Sequence, residues 1–280
     1  MNKKNKLKIL IAYHKPSFLL KSKIYIPIHV GRSIATQKSK DGMLTQKDYK
    51  WLMKNLVGDD TGENISHKNR EWCELTAIYW AWKNYDKLGN PDYIGLMHYR
   101  RFFDFKNCKN NKDIENFVGN YDILIRIRTI LNDYYVNNYI QYERSPHQHI
   151  EDLDKATDIV KRLYPEYTNA IEIYMKQDYA FFCNMFVMKK NIFFEYCKFI
   201  FSVLEQFEKE VDISGYNVQE KRVFGYLGER LTGIFYTHLL KQNHNIKTIE
   251  ISQLPQNKIP NETFLEKVKR IYRKLKPMYS

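Results

Sequence analysis

Short apolar runs alternate with amphipathic stretches along this chain, the pattern of an α/β fold. Residues 8–13 and 93–97 are continuous apolar runs of strand length, as expected of strands buried on both faces. Residues 25–30 form another short extended segment, 121–127 a further strand, and 181–188 a strand interrupted by one polar residue, Asn184. Trp72, Leu75, Ile78, Tyr79 and Trp82 recur every three or four positions. This spacing predicts a helix over 66–86, capped by Ser66 and stopped by Gly89, Asn90 and Pro91. Residues 134–175 read as helical with breaks at Ser145-Pro146 and at Pro165, and 192–210 and 219–242 as two more helices. The polar, turn-rich stretch 38–62 reads as an active-site loop.

With no internal repeat and no low-complexity linker, a single domain over 1–250 with peripheral helices is expected, followed by a tail over 251–280. In that tail Phe264, Leu265, Val268, Ile271, Tyr272 and Leu275 fall on one helix face. Lys267, Lys269, Arg270, Arg273, Lys274 and Lys276 take much of the rest. This is the pattern of a basic amphipathic helix lying on a membrane surface, or of a docking helix with a solvated basic face.

Charge sharpens that choice. The net charge is +13, yet residues 1–23 hold seven lysines and no acid, and 258–280 hold seven basic and two acidic residues. The surplus sits at the ends, whereas a duplex-reading protein needs a basic face within its folded body. No nucleic-acid partner is expected; an anionic membrane surface is. Aromatics reach 15% of 280 residues, which suits a cleft that stacks on sugars or bases, and equally suits an AT-rich coding sequence. The four cysteines lack C-x-x-C spacing, so metal fingers and redox motifs are not expected, and reduced cytosolic thiols are. Neither a signal peptide nor an apolar window of spanning length is read, so the expectation is a cytoplasmic protein, peripheral on the inner face of the cell membrane.

The chemistry concentrates where the run 93–97 ends in His98, Tyr99, Arg100 and Arg101. Ligands of α/β proteins gather at carboxyl ends of strands, and paired arginines there call for a phosphate or diphosphate. Salt bridges to Asp104 or Asp122 are the structural alternative. Pleating places His98 and Arg100 on one side and leaves Arg101 to a structural role. The loop 59–66 leads into a helix and could bind an anion, with Asp59 and Asp60 on a ribose hydroxyl or a cation, or it could simply cap with Ser66, Asn69 and Arg70. His147, His149, Glu151, Asp152 and Asp154 form the densest ligand-type cluster. Asp152 and Asp154 have D-x-D spacing but open a polar, helix-like stretch, so capping is expected of them. A transition-metal site using His147 or His149 is the alternative. Glu229 sits among Phe224, Leu227 and Leu231, near Gly225 and Gly228, as a general base with raised proton affinity or as half of a buried pair with arginine. P-loop, GxGxxG, nucleophile-elbow and kinase patterns are absent from the sequence.

Seven runs in order carry a family resemblance: 13–16 (YHKP), 25–32 (YIPIHVGR), 59–66 (DDTGENIS), 73–84 (CELTAIYWAWKN), 98–101 (HYRR), 184–188 (NMFVM) and 222–230 (RVFGYLGER). Over about 7–240 the chain resembles bacterial capsular and exopolysaccharide glycosyltransferases long filed as a domain of unknown function, some of them galactofuranosyltransferases. The resemblance implies a GT-A-like, Rossmann-related single domain with a mixed central sheet. It implies transfer of a hexosyl unit, galactose or galactofuranose in type, from a UDP-sugar to a lipid-linked acceptor. Related families place a metal-binding D-x-D after the strand where this chain has His98-Tyr99-Arg100-Arg101, so metal-independent transfer is expected, with Mn²⁺ or Mg²⁺ as the alternative. Tyr13, His14, Lys15, Asp60, Asn64 and Arg101 are then expected at the donor, and His98 and Arg100 at the departing diphosphate. Glu229, or failing that Asp212, is the expected base, and His147, His149, Asn184 and Arg222 are expected on the acceptor side or in support. A non-catalytic nucleotide-sugar or glycan-binding module is the alternative function.

Overall fold

The computed structural model describes residues 6–38, 42–242, 244–255 and 258. The helix expected over 262–277 lies outside them. The described strands are β1 (Leu7–Tyr13), β2 (Tyr25–His29), β3 (Val57–Gly58), β4 (Tyr93–His98), β5 (Ile123–Arg126), β6 (Thr129–Ile130), β7 (Tyr179–Ala180), β8 (Phe186–Lys189) and β9 (Thr248–Ile251). Seven of them form one sheet in the order β3-β2-β1-β4-β8-β5-β9, and β6 pairs with β7 apart from it. β3, β2, β1 and β4 run parallel, β8 is antiparallel to both β4 and β5, and β9 is parallel to β5. The carboxyl ends of β1–β5 and β9 and the amino end of β8 therefore share one rim. This mixed, Rossmann-related sheet is the α/β architecture the sequence pattern implied.

Helices cover both faces: α1 (Gln46–Asn55), α2 (Asn69–Trp72), α3 (Leu75–Lys83), α4 (Asn111–Val118), α5 (Asn138–Glu143), α6 (Ile150–Leu163), α7 (Thr168–Met175), α8 (Lys190–Glu210) and α9 (Val223–Gln242). Strand alternation divides the core. Leu10, Ile94, Leu96, Ile123 and Ile125 face one cluster with Trp72, Phe201 and Phe224, while Ile9, Ile11, Tyr93, Met97 and Leu124 face the other with Val118. Gly95 lets β8 close on β4, since a Cβ there would stand 2.7 Å from the Phe186 carbonyl oxygen. Many of the aromatics pack inward, for example the stacked Trp72–Phe224 pair at 4.6 Å, so their abundance serves the core.

Three expectations change. The stretch 38–62 is not one loop: it holds α1, capped by Thr45 Oγ1 accepting from the Asp48 N–H at 3.1 Å, and then β3. α1 went unread because it buries only Leu52. The helix over 66–86 is broken at Cys73, whose φ of 51° ends α2 before α3 begins, and Ser66 turns its hydroxyl to Asp59 instead of capping. The strand over 181–188 forms only from Phe186, because Cys183 and Asn184 adopt positive φ. β9 spans the expected boundary position, and Leu254 donates to the Phe102 carbonyl at 2.8 Å.

Candidate functional site

At the rim, β4 ends in a two-residue reversal. The Arg101 N–H donates to the His98 carbonyl at 2.9 Å, and the His98 N–H donates back to the Arg101 carbonyl at 3.2 Å. The chain is no longer extended here, so the pleating expectation fails. His98 and Arg101 are directly opposed, and opposed residues share a face. Arg100 occupies the turn tip, exposed, with its guanidinium 5.1 Å from the Tyr99 ring centre. Asp122 is bonded to Lys189 at 2.5 Å and not to either arginine.

Opposite that turn stand Cys183 and Asn184, consecutive non-glycine residues at φ 75° and 47°. Such a backbone is costly and persists only where surroundings over-determine it. Four side chains do so. Glu229 Oε1 accepts from the Cys183 N–H at 2.6 Å, and His98 Nε2 donates to the Cys183 carbonyl at 2.7 Å. Asn184 Nδ2 donates to Glu74 Oε1 at 2.9 Å, and its Oδ1 accepts from Thr232 Oγ1 at 3.1 Å. α9 comes this close because of its glycines: a Cβ on Gly225 would stand 2.9 Å from Cys73 Sγ, and one on Gly228 3.3 Å from Asn184 Nδ2.

Burial raises the Glu229 carboxyl to about 7; Arg230 and the Cys183 N–H oppose this, and Glu74 reinforces it. Burial also lifts the Cys183 thiol to about 11, although Arg101 and Arg126 pull the other way, so Cys183 is a neutral thiol at physiological pH. The site thus gathers two carboxylates, Glu74 and Glu229, with His98, Arg101 and Arg126 around one constrained turn. Such an arrangement can exchange a proton near neutral pH and meet an anion with nearby cations. Glu74 and Arg126 were missed from sequence. Glu74 lies in the motif run 73–84, but nothing local says that it meets residue 184.

The ends of β2 and β3 are tied by Asp59, which is buried. Its carboxylate accepts from the Gly31 N–H (2.8 Å), the Arg32 N–H (3.1 Å), Ser66 Oγ (2.5 Å) and Thr76 Oγ1 (2.8 Å). Gly31 is required beside it, with φ 65° and a would-be Cβ only 2.6 Å from Asn69 Oδ1. Asp59 therefore fixes the rim from within, while Asp60 is exposed and is felt by Arg32. Arg32 Nε donates to His29 Nδ1 at 3.3 Å; burial, then Arg32, pushes His29 down to about 3, so this imidazole stays neutral.

The other expected site residues are placed unequally. Tyr13 is buried and its hydroxyl donates to the Phe18 carbonyl at 2.8 Å, so its ring braces the 13–20 turn. His14 is exposed, with its ring 5.0 Å from Tyr99 edge to face, and Lys15 follows it. Asn64 is taken up locally, donating to the Gly62 carbonyl at 2.8 Å and accepting from the Ser66 N–H at 3.1 Å. Asp212 lies in an exposed turn where both its oxygens accept from Ser214, at 2.8 and 3.0 Å, and these bonds hold its carboxyl below the ordinary range. It is a poor base. Arg222 Nε donates to Cys73 Sγ at 3.4 Å, bracing the α2–α3 break.

His147 is exposed at φ 67°, and His149 lies 4.6 Å from the Tyr216 ring and 3.8 Å from Glu220. Neither aspartate caps α6: Asp152 accepts from Tyr216 at 2.9 Å and Asp154 from Tyr139 at 3.3 Å. Among the described residues no group of three or more His, Cys, Asp or Glu side chains is arranged to hold a metal ion.

Comparison with known proteins places this geometry. Residues 8–243 match the family described as "Domain of unknown function (DUF4422)", and the chain belongs to that family. No curated protein matches. Among solved structures, the chain is similar to the apo form of the bifunctional glycosyltransferase WbbM, at 35% identity and a TM-score of 0.76 over 89% of this chain. The match takes in 45% of that protein, so this chain spans less than half of it. The fold is thus one found within a glycosyltransferase.

Proposed function

We propose that the chain is a glycosyltransferase that moves a hexosyl unit, galactose or galactofuranose in type, from a UDP-sugar to a lipid-linked capsular or exopolysaccharide acceptor. The similarity to WbbM supports the class. The observation that carries the mechanism is Glu229, its proton affinity raised to about 7, bonded to the same turn as His98, with Arg101 paired to His98. In an inverting transfer the acceptor hydroxyl attacks the anomeric carbon while Glu229 takes its proton. The bond to the diphosphate oxygen breaks, and the leaving electron pair ends on that oxygen. Arg101, with Arg100 and His98 nearby, neutralises it. His14, Lys15 and Asp60 lie on the donor side of the rim. These guanidiniums are the basis for transfer without an essential Mn²⁺ or Mg²⁺. The reaction is assigned to the cytoplasmic face of the membrane.

The test is a thermal-shift panel of nucleotide sugars followed by turnover with and without excess EDTA. A UDP-sugar should raise Tm, by about 2.7 kcal/mol of stabilisation at a hundredfold excess over Kd. Transfer should survive chelation. Loss of turnover restored by Mn²⁺ would sink the metal-independent mechanism, and binding without transfer or hydrolysis would favour a glycan-binding module.

A further inference from the structure

The carboxyl-end rim carries a second feature that the proposed chemistry does not use. From the end of β5 the chain leaves the sheet as a short arm, residues 127–137, whose β6 pairs only with β7. Four large apolar side chains stand out from this arm: Ile127 is 44% exposed, Ile130 66%, Tyr134 60% and Val136 57%. They account for four of the ten exposed large hydrophobics among the described residues, so the exposure is concentrated and not scattered. The backbone is held in this form. Val136, a β-branched residue, sits at φ 58°, its N–H donates to the Asn132 carbonyl at 3.2 Å, and Arg144 lies 5.0 Å from the Tyr134 ring. A branched residue in that region is a genuine outlier, of the kind kept for use.

Two placements say what the arm meets. Its root, Arg126, is felt by both Glu229 and Cys183, so the arm rises from the candidate site. β9 runs beside that root, with the Ile127 N–H donating to the Ile251 carbonyl at 2.8 Å, and the chain then passes Phe102 toward residue 255. The segment that continues from there, 258–280, has seven basic and two acidic residues among apolar ones. An exposed apolar arm with paired tyrosines and a basic segment thus start from one edge. Apolar and tyrosine side chains enter the headgroup–acyl boundary, while basic residues meet anionic headgroups.

We propose that the 127–137 arm is a membrane-dipping element that seats the rim of the site against an anionic lipid bilayer. It rests on the proposed function only in its purpose, which is to bring a lipid-linked acceptor to the site; bilayer binding itself does not need that reading.

The experiment uses the full chain and vesicles of phosphatidylcholine with phosphatidylglycerol. Ile130→Ser with Tyr134→Ser should lower vesicle-bound protein about tenfold, the size expected from withdrawing two large apolar groups from the interface. Its Tm should be unchanged, since both side chains are exposed. Ile130→Trp should shift its emission to the blue when vesicles are added and not before. At high salt, where the basic segment is screened, the double variant should lose the remaining binding that the native chain retains. Unchanged binding of the double variant, or no blue shift with vesicles, overturns the proposal. A blue shift without lipid, or one that grows with protein concentration, also overturns it in favour of the arm being covered by the chain itself or by a second copy. If vesicle binding behaves as described while no sugar transfer is found, the functional reading fails and the arm stands.

Discussion

Glu229→Gln separates proton transfer from architecture. Glutamine keeps the Oε1 that accepts from the Cys183 N–H, so the strained 183–184 turn retains its support while the titrating proton is removed. Burial raises this carboxyl from 4.5 to about 7, which at roughly 1.4 kcal/mol per pH unit makes ionisation about 3 kcal/mol harder than in water. A carboxyl whose folded affinity for the proton exceeds its unfolded one favours the fold fully at low pH. That contribution is lost as pH rises from about 4.5 through 7. The variant should therefore match the native chain near pH 4.5 and exceed it at pH 8.5 by up to about 3 kcal/mol, several degrees in Tm for a chain of this size. Turnover should move the other way. Native kcat/KM should rise with pH through an apparent value near 7, whereas the variant should fall by roughly 10²–10⁴ and lose that limb. Measuring kcat/KM and Tm across pH 5–9 on both proteins checks both halves. Retention of activity within about threefold, with the same pH dependence, would refute Glu229 as base; a pH-independent Tm difference would refute its buried, protonated state.

The reversal at His98–Arg101 predicts unequal arginines: Arg101→Ala should lower kcat by about 10²-fold, as for one fixed group at a leaving oxygen, while Arg100→Ala acts mainly on KM. Steady-state kinetics with a UDP-sugar decides, and the reverse order would restore the extended-strand picture. Asp59→Asn replaces an acceptor of four hydrogen bonds by an amide that can accept only on one side, so it should cost about 3 kcal/mol or more, read from urea unfolding. A cost below about 1 kcal/mol would remove Asp59 as the tie of the rim. Gly95→Ala drives a methyl toward the Phe186 carbonyl at 2.7 Å and should destabilise by about 1–3 kcal/mol without changing the pH profile of whatever activity remains.

Much of the fold is local information. The runs at 7–13 and 93–98 are strands because a segment apolar on both faces has to be covered twice, and α8 and α9 show their lengths in their own sequences. The elements that escaped were those whose burial is small or whose backbone is unusual. α1 buries one leucine, and Cys73 breaks a helix pattern that is otherwise unbroken in sequence. The motif at 98–101 and the carboxylate at 229 stood out because polar groups adjoin apolar ones.

What the chain's sequence determined, then, is the alternation of strands and helices, the cationic end of β4 and a carboxylate within an apolar helix. Tertiary structure alone decided which of these meet. Residues 74, 98, 183 and 229 come together because β8 inserts antiparallel between β4 and β5 while α9 packs closely through its glycines. Those contacts join residues 46 to 110 positions apart, and no periodicity encodes them. The proton affinity of Glu229 follows from the same packing, because desolvation comes from the elements that close around the residue and not from the residue itself.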